Sequence, residues 1–225
     1  MRKVTAGLAA VVAAVLAVSA FGTQVQAKDW SASFPSGSAV PAALGGYEVT
    51  PSIDSGALSK GGWFPCGAFT APRSKSIVMA TYTSKPLTQN QVEARAYVYA
   101  SAVKAQQAFG VIQKKLATCN GKDSITASDS GPNTMRRTVT SGTLTGLTVT
   151  GVQSLYVYTK LIPLPGVGKP AVNSGGSYSV LTLVNDTILV TDAGQVGKPG
   201  YTSAQKTAVV DFAFDFEESW VLAND

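Results

Sequence analysis

Histidine is absent from all 225 residues, and cysteine occurs only twice. Without an imidazole there is no Ser-His-Asp or Cys-His relay, no His-based metal site and no proton shuttle titrating near neutral pH. Most common hydrolases are excluded on that ground. The enzymatic routes left are a Lys-activated Ser or a carboxylate pair, and no pattern in the chain specifies either. Two thiols without histidine supply too few ligands for zinc, and they lack the Cys-x-x-Cys spacing of a redox pair. Clustered positive charge is missing as well. Lys114-Lys115 and Arg136-Arg137 fall well short of a nucleic-acid-binding patch and read as solvated faces. Near-matches to a phosphate loop at Gly168-Lys169 and Gly197-Lys198 are not followed by Ser or Thr, and Pro163 and Asp192 stand where the leading glycine belongs. The composition points to no catalytic site, no metal and no cofactor.

What is present begins at the N-terminus. Arg2 and Lys3 precede a nearly unbroken apolar run from Leu8 to Phe21, and Val25-Gln26-Ala27 supplies the small-x-small ending that signal peptidase accepts. The run is short for a membrane span of roughly 20 residues, and Gln24 and Gln26 follow it directly. Residues 1–27 are therefore expected to be a cleaved signal peptide, leaving a secreted, extracellular product with no stable membrane anchor. Without Arg2 and Lys3, 16 basic residues face 13 acidic ones and the formal charge falls from +5 to +3. In an exported chain, Cys66 and Cys119 read as one structural disulfide, worth up to ~4 kcal/mol by loop closure.

Residues 28–62, rich in Ser, Gly, Pro and Ala, read as an extended, loosely packed arm, with order expected from Trp63 onward. Ile77 to Thr83 reads as a strand. Val92 to Tyr99 alternates, with Val92, Ala94, Ala96 and Val98 on one face and Glu93, Arg95, Tyr97 and Tyr99 on the other. Ser101 caps a helix whose stripe runs through Ala102, Ala105, Phe109, Ile112 and Leu116 to Cys119. Asn120 to Thr134 reads as a polar turn region. Strands are expected within 137–144 and 147–161, the second placing Tyr156, Tyr158 and Lys160 on one face. Residues 162–176 form a Pro- and Gly-rich excursion. Tyr178 to Val184 and Thr187 to Thr191 flank Asn185-Asp186 as a tight hairpin. The turn accounts for Asn185 even though Asn185-Asp186-Thr187 matches a glycosylation acceptor. From 203 to 220 the pattern fits a helix capped by Thr202 or Ser203, yet Val210 to Glu217 also alternates as a strand does.

These elements give an α+β fold, a mainly antiparallel sheet with two helices packed on one face and one disulfide, as a single domain over 63–225. Phe64-Pro65-Cys66-Gly67, the run Arg95-Ala96-Tyr97-Val98-Tyr99, and the helix from Ser101 through Ala105 and Phe109 to Cys119 carry a resemblance. In these the chain resembles actinobacterial secreted sensor-domain proteins, relatives of the extracellular sensor domains of mycobacterial PknH-type receptor kinases. The likeness covers roughly residues 60–220. It implies an α/β fold with a ligand cleft in a free-standing sensor-like domain. Those kinase domains carry two disulfides where this chain can form one, and the chain has neither a kinase region nor a membrane span beyond its N-terminal run.

The most distinctive candidate site is a tyrosine surface. If the strands holding Tyr97 and Tyr99 and those holding Tyr156 and Tyr158 lie side by side, four phenol rings with Arg95, Lys160 and Glu93 form one aromatic, polar-tipped ligand face. An ordinary solvated or helix-covered sheet face is the competing reading, because Tyr is favoured in strands for its own sake. Asp211, Asp215 and Glu218 share one side of the last helix and read as a solvated acidic face. The function expected is a secreted, non-catalytic ligand-binding or sensor-like domain acting on a small molecule or cell-envelope component. An envelope structural or interaction protein, or a His-free hydrolase, are the alternatives.

Overall fold

The structure, a computed structural model, describes residues 29–45, 52–55, 66, 73–83, 91–127, 134–145, 153–163, 174–196, 198 and 200–224. The expected signal peptide lies outside the described residues. Three 3-10 turns, Ser31–Ser33, Gly37–Ala39 and Ala42–Leu44, precede β1 (Ser52–Ser55), β2 (Ser76–Thr83), β3 (Gln91–Val98) and α1 (Ala102–Cys119). Then come β4 (Asp123–Ala127), β5 (Thr134–Leu144), β6 (Ser154–Pro163), β7 (Gly175–Val184), β8 (Thr187–Val196) and α2 (Ser203–Asn224). The strands form one antiparallel sheet in the order β1-β2-β3-β8-β7-β6-β5-β4. The hairpin between β7 and β8 turns on Asn185, whose φ of 48° is a left-handed conformation that Asn tolerates.

The α+β class, the antiparallel sheet and the Cys66–Cys119 disulfide are as the sequence leads one to expect. The helices differ from expectation in one respect, since they occupy opposite faces of the sheet. Side chains alternate along a strand, so parity decides the face. On β8, Leu189 and Ala193 join the core under α2 with Val209, Phe212 and Phe216, whereas Ile188 and Val190 join the core under α1 with Phe109, Ile112 and Leu116. Central strands buried on both faces need apolar residues at both parities, and β7 and β8 have them.

Each helix begins as its sequence directs. The Ser101 hydroxyl accepts from Lys104 N at 3.3 Å. At α2, Gln205 N donates to Thr202 Oγ1 at 3.2 Å and Thr202 N donates to Gln205 Oε1 at 3.0 Å, a reciprocal capping box. Cys119 ends α1, and its bridge to Cys66 lies against the core under that helix.

Residues 29–45 are not a loose arm. Phe34, Val40 and Leu44 are buried, Trp30 stacks on Trp220 at 5.5 Å and Phe34 stacks on Phe216 at 5.0 Å. The buried Tyr82 hydroxyl donates to the Pro35 carbonyl at 2.8 Å, and burial holds its phenol well above the usual tyrosine range. Isolated aromatic and aliphatic anchors spaced among Ser, Gly and Pro carry no periodicity, yet they fill a groove beside α2. Residues 123–127, expected in a polar turn region, also depart from expectation, while 128–133 lie outside the described residues. Asp123–Ala127 forms edge strand β4, paired with β5. Its polar character suits an edge, which has no helix to pack against. Among the described residues no helix is long and apolar enough to cross a membrane.

Candidate functional site

The two strand faces that carry the expected tyrosine surface do not meet. β8 and β7 lie between β3 and β6 in the sheet. Tyr97 sits directly across from Ile188, on the α1 face, while Tyr156 sits across from Val180 and Tyr158 across from Tyr178, on the α2 face. Tyr97 and Tyr99 pack into the core under α1. Tyr99 is 5% exposed, and burial together with the neighbouring Tyr97 pushes its phenol up to about 12. Tyr99 is thus a core residue, and Tyr97 is half-buried against the same core.

Arg95, the remaining α1-face member of that set, belongs to a different group. Glu93 on β3, Asp192 on β8 and Ser179 on β7 stand directly opposite one another across three adjacent strands. Ser177 and Thr159 form the next row of the same face. Arg95 Nη2 donates to Glu93 Oε2, with 16% and 18% of the two side chains exposed. The Ser179 hydroxyl donates to Asp192 Oδ1. Burial raises the Asp192 carboxyl above its ordinary value, against the lowering effects of the Ser179 hydrogen bond, the Arg95 charge and Ser177. One guanidinium thus serves two carboxyl groups in a half-buried row.

The row adjoins the apolar floor beneath α1. Arg95 is the cross-strand partner of Val190, and Val190 is the partner of Leu181, both buried under that helix. A polar strip meeting a helix-covered floor gives the site one apolar wall. Two polar atoms in the strip, Arg95 Nε and Thr159 Oγ1, are buried and lack a hydrogen-bond partner among the described residues. Leaving such groups unpaired costs roughly 1–3 kcal/mol each, more for a charged one. Toward the ends of the strands, Gln91 Nε2 donates to Glu93 Oε1 at 2.8 Å. Gln91 also lines a small cleft with Leu44, Val92, Ala193, Gly194 and Tyr201, whose free space of about 10 Å³ is room for one water at most. Chemically the row offers a donor and carboxylate acceptors side by side, the arrangement that binds groups able both to accept and to donate.

Tyr156, Tyr158 and Lys160 lie on the other face. There they join Tyr178 and Tyr201, with Tyr156 stacked on Tyr178 at 5.9 Å and Tyr201 edge-on to Tyr158 at 6.0 Å. Of the seven residues expected to form one surface, the structure brings together Glu93 and Arg95 with Tyr97 and Tyr99 on one side of the sheet and the other three on the opposite side. Asp192, Ser177, Ser179 and Thr159 were not expected at a site. A charged residue inside the apolar run Ile188 to Ala193 is the signal that marks Asp192. Asp211 and Glu218 are exposed and Asp215 half-buried, consistent with a solvated face, and among the described residues no group of three acidic or thiol side chains is placed to hold a metal ion.

No protein-family model matches the chain, and no curated protein sequence matches it either. Among solved structures, the fold is similar to the crystal structure of the extracellular domain of PknH from Mycobacterium tuberculosis. The TM-score is 0.57 at 13% identity, over 84% of this chain and 94% of that one. At that identity the likeness concerns the fold, and it falls on the kind of domain that the Arg95–Tyr99 strand and the Ser101 helix resemble.

Proposed function

We propose that the chain is an exported, non-catalytic, sensor-like domain that binds a small hydroxyl-rich ligand along the Glu93–Arg95–Asp192 row. The observation that carries this reading is the pair of buried, unpartnered polar atoms, Arg95 Nε and Thr159 Oγ1, in a row that also holds two carboxyl groups. A ligand hydroxyl accepts from Arg95 and donates to a carboxylate with the same oxygen, which neither a purely anionic nor a purely cationic group does. The fold likeness to an extracellular domain, the disulfide and the signal-like N-terminus support an extracellular setting. Ser179 does donate to Asp192, yet the cleft at the strand ends has only about 10 Å³ of free space, too little to hold a substrate against that pair, and the reading stays non-catalytic.

The test is thermal melting of the protein against a panel of monosaccharides, polyols and amino sugars, repeated with Arg95→Met and Asp192→Asn. A ligand at a hundredfold excess over its Kd stabilises by about 2.7 kcal/mol, well within reach of a melting shift. The reading expects at least one panel member to stabilise the parent and to lose that effect in both variants. Equal stabilisation of the parent and both variants, or no stabilisation by any member, would count against it.

A further inference from the structure

Strands β7 and β8 carry a helix on each side, α1 on one face and α2 on the other, so the two helices turn their outer faces in opposite directions. On α1, Val103, Gln107, Gly110 and Lys114 recur at three- and four-residue steps opposite the buried Ala105, Phe109, Ile112 and Leu116. On α2, Asp211, Phe214, Glu218 and Leu222 recur in the same way opposite the buried Val209, Phe212, Phe216 and Trp220. Each set is an outward ridge, and each runs about 16 Å at the usual helical rise. Val103 is 62% and Leu222 78% exposed, and Phe214 is exposed as well. Of the large apolar side chains exposed among the described residues, only Ile162 lies elsewhere.

The two ridges carry opposite charge. Helix α1 holds Lys104, Lys114 and Lys115 and no acid. On α2 the acids Asp211, Asp215 and Glu218 gather on the outer side, while the one base of that helix, Lys206, lies over the Tyr158 ring. Burial, then the Glu218 and Asp211 charges, raise the Asp215 carboxyl above its ordinary value, as expected of acids that face one another without a cation between them. Among the described residues none of these lysines or outer acids forms an ion pair. Gly110 adds a shape. A Cβ there would meet nothing within 4 Å, so no neighbour in the fold calls for glycine, the poorest helix former after proline. Its missing side chain leaves a notch in the middle of the α1 ridge.

We propose that the α2 ridge of a second copy of this chain docks antiparallel on the α1 ridge, with Phe214 in the Gly110 notch, Leu222 beside Val103 and Asp211 facing Lys114. The spacing selects that register. Each pair matches to within one residue step, about 1.5 Å along the axis, and Glu218 falls within one turn of Lys104. A parallel pairing on the same notch would bring Leu222 to Thr118 and Val103 to Thr207, leaving both apolar ends unmatched. Charge selects the occupant. Two unpaired ridges of opposite sign and equal length on one molecule are met together by a second copy, whereas an unrelated basic or acidic partner would meet only one of them. Because the ridges point away from each other, the contact is heterologous and does not close on two copies, so it builds an open row of molecules. Neither ridge includes a residue of the Glu93–Arg95–Asp192 row, and the contact does not depend on it.

The experiment is sedimentation velocity of the folded protein at low ionic strength over a rising concentration series. The parent is expected to grow continuously in mass past two copies and to dissociate as salt is raised. Lys104→Glu with Lys114→Glu, and Asp211→Lys with Glu218→Lys, should each weaken self-association at least about tenfold. An equal mixture of the two double variants should restore it, because each reversed ridge then meets its complement. Gly110→Gln should melt at a higher temperature than the parent and yet associate at least about tenfold more weakly, a combination that a purely structural glycine does not give. Melting curves establish that the charge variants are folded, and if either is not, Gly110→Gln decides the matter. A parent that is monomeric at every concentration, a mass that stops at two copies, folded charge variants that associate as the parent does, a mixture that stays monomeric, or a Gly110→Gln variant that associates undiminished or loses association only by melting earlier would each overturn the proposal.

Discussion

Tyr97 and Tyr156 stand on opposite faces of a single sheet, with β8 and β7 between their strands. One tyrosine motif, Tyr-Val-Tyr, occurs on both strands and serves two purposes. On β3 it ends in the core under α1, and on β6 it packs at the margin of the core under α2, where Tyr156 stacks on Tyr178 and Tyr201 stands edge-on to Tyr158. The difference comes from neighbours. Tyr97 stands across from Ile188 and packs on the core under α1, whereas Tyr156 lies against Gly142 and packs on the core under α2.

The Tyr156–Gly142 contact makes a prediction whose sign changes with background. Gly in a strand interior costs roughly 0.5–1 kcal/mol relative to Ala, so Gly142→Ala alone has a favourable backbone effect. In the parent that gain is opposed by collision with the ring, whose far edge must swing away and lose its stacking on Tyr178. Gly142→Ala should therefore destabilise the parent, by about 1 kcal/mol. In a Tyr156→Ala background the same change should be neutral or stabilising. A double-mutant cycle by urea unfolding checks it, and additive effects would show that the ring does not rest on Gly142.

How far the sequence disclosed this fold depends on whether each element has a periodic partner. Val92, Ala94 and Ala96 alternate because only one face of β3 meets α2, and Ala105, Phe109, Ile112 and Leu116 repeat because α1 buries only one stripe. Both elements are legible for that reason. Helix α2 is legible from its cap but less sharply, since it is covered by the sheet on one side and by Trp30 and Phe34 on another, so its apolar residues spread around the wheel and imitate a strand. β4 is polar because it is an edge. Alternation places Glu93, Arg95 and Tyr97 on one strand face and Tyr156, Tyr158 and Lys160 on another, as the structure does. Strand order is a long-range property that alternation does not encode, and the separation of those two groups follows from it. The candidate row needed that order too, because Glu93 and Asp192 are far apart in sequence and adjacent only in the sheet.

The segment from Trp30 to Leu44 is expected to behave as part of the core in solution. Phe34 is 5% exposed and touches both Phe216 and Trp220. Phe34→Ala should cost about 3–5 kcal/mol, the range for a fully packed aromatic. Proteolysis under native conditions gives a second reading. Cleavage between 30 and 45 should be slow in the parent and fast in the variant. A loss below about 1 kcal/mol on chemical unfolding would mean that the aromatic stacks on α2 contribute little.

Glu217 gives the clearest pH signature. It is 2% exposed on the inner side of α2, and its Oε1 has no hydrogen-bond partner among the described residues. Burial raises its carboxyl above the ordinary value of 4.5. In the unfolded chain the group titrates near that ordinary value. Between the two values the folded protein binds more protons than the unfolded one, so its contribution to stability is present below the unfolded value and is lost as pH rises through the folded one. Asp192 and Asp215 are raised as well and carry the same sign, so the parent alone does not isolate Glu217. The difference between the parent and Glu217→Met does. At pH 7 the variant should be more stable by about 1–3 kcal/mol, the cost of an unpaired buried polar group. Below pH ~4 that advantage should shrink, because the parent carboxyl is then neutral in both states. Urea unfolding of both proteins from pH 3.5 to 8 measures the gap. A gap that stays constant across the range would show that Glu217 is solvated or paired in the folded protein, and that its carboxyl is not raised by burial.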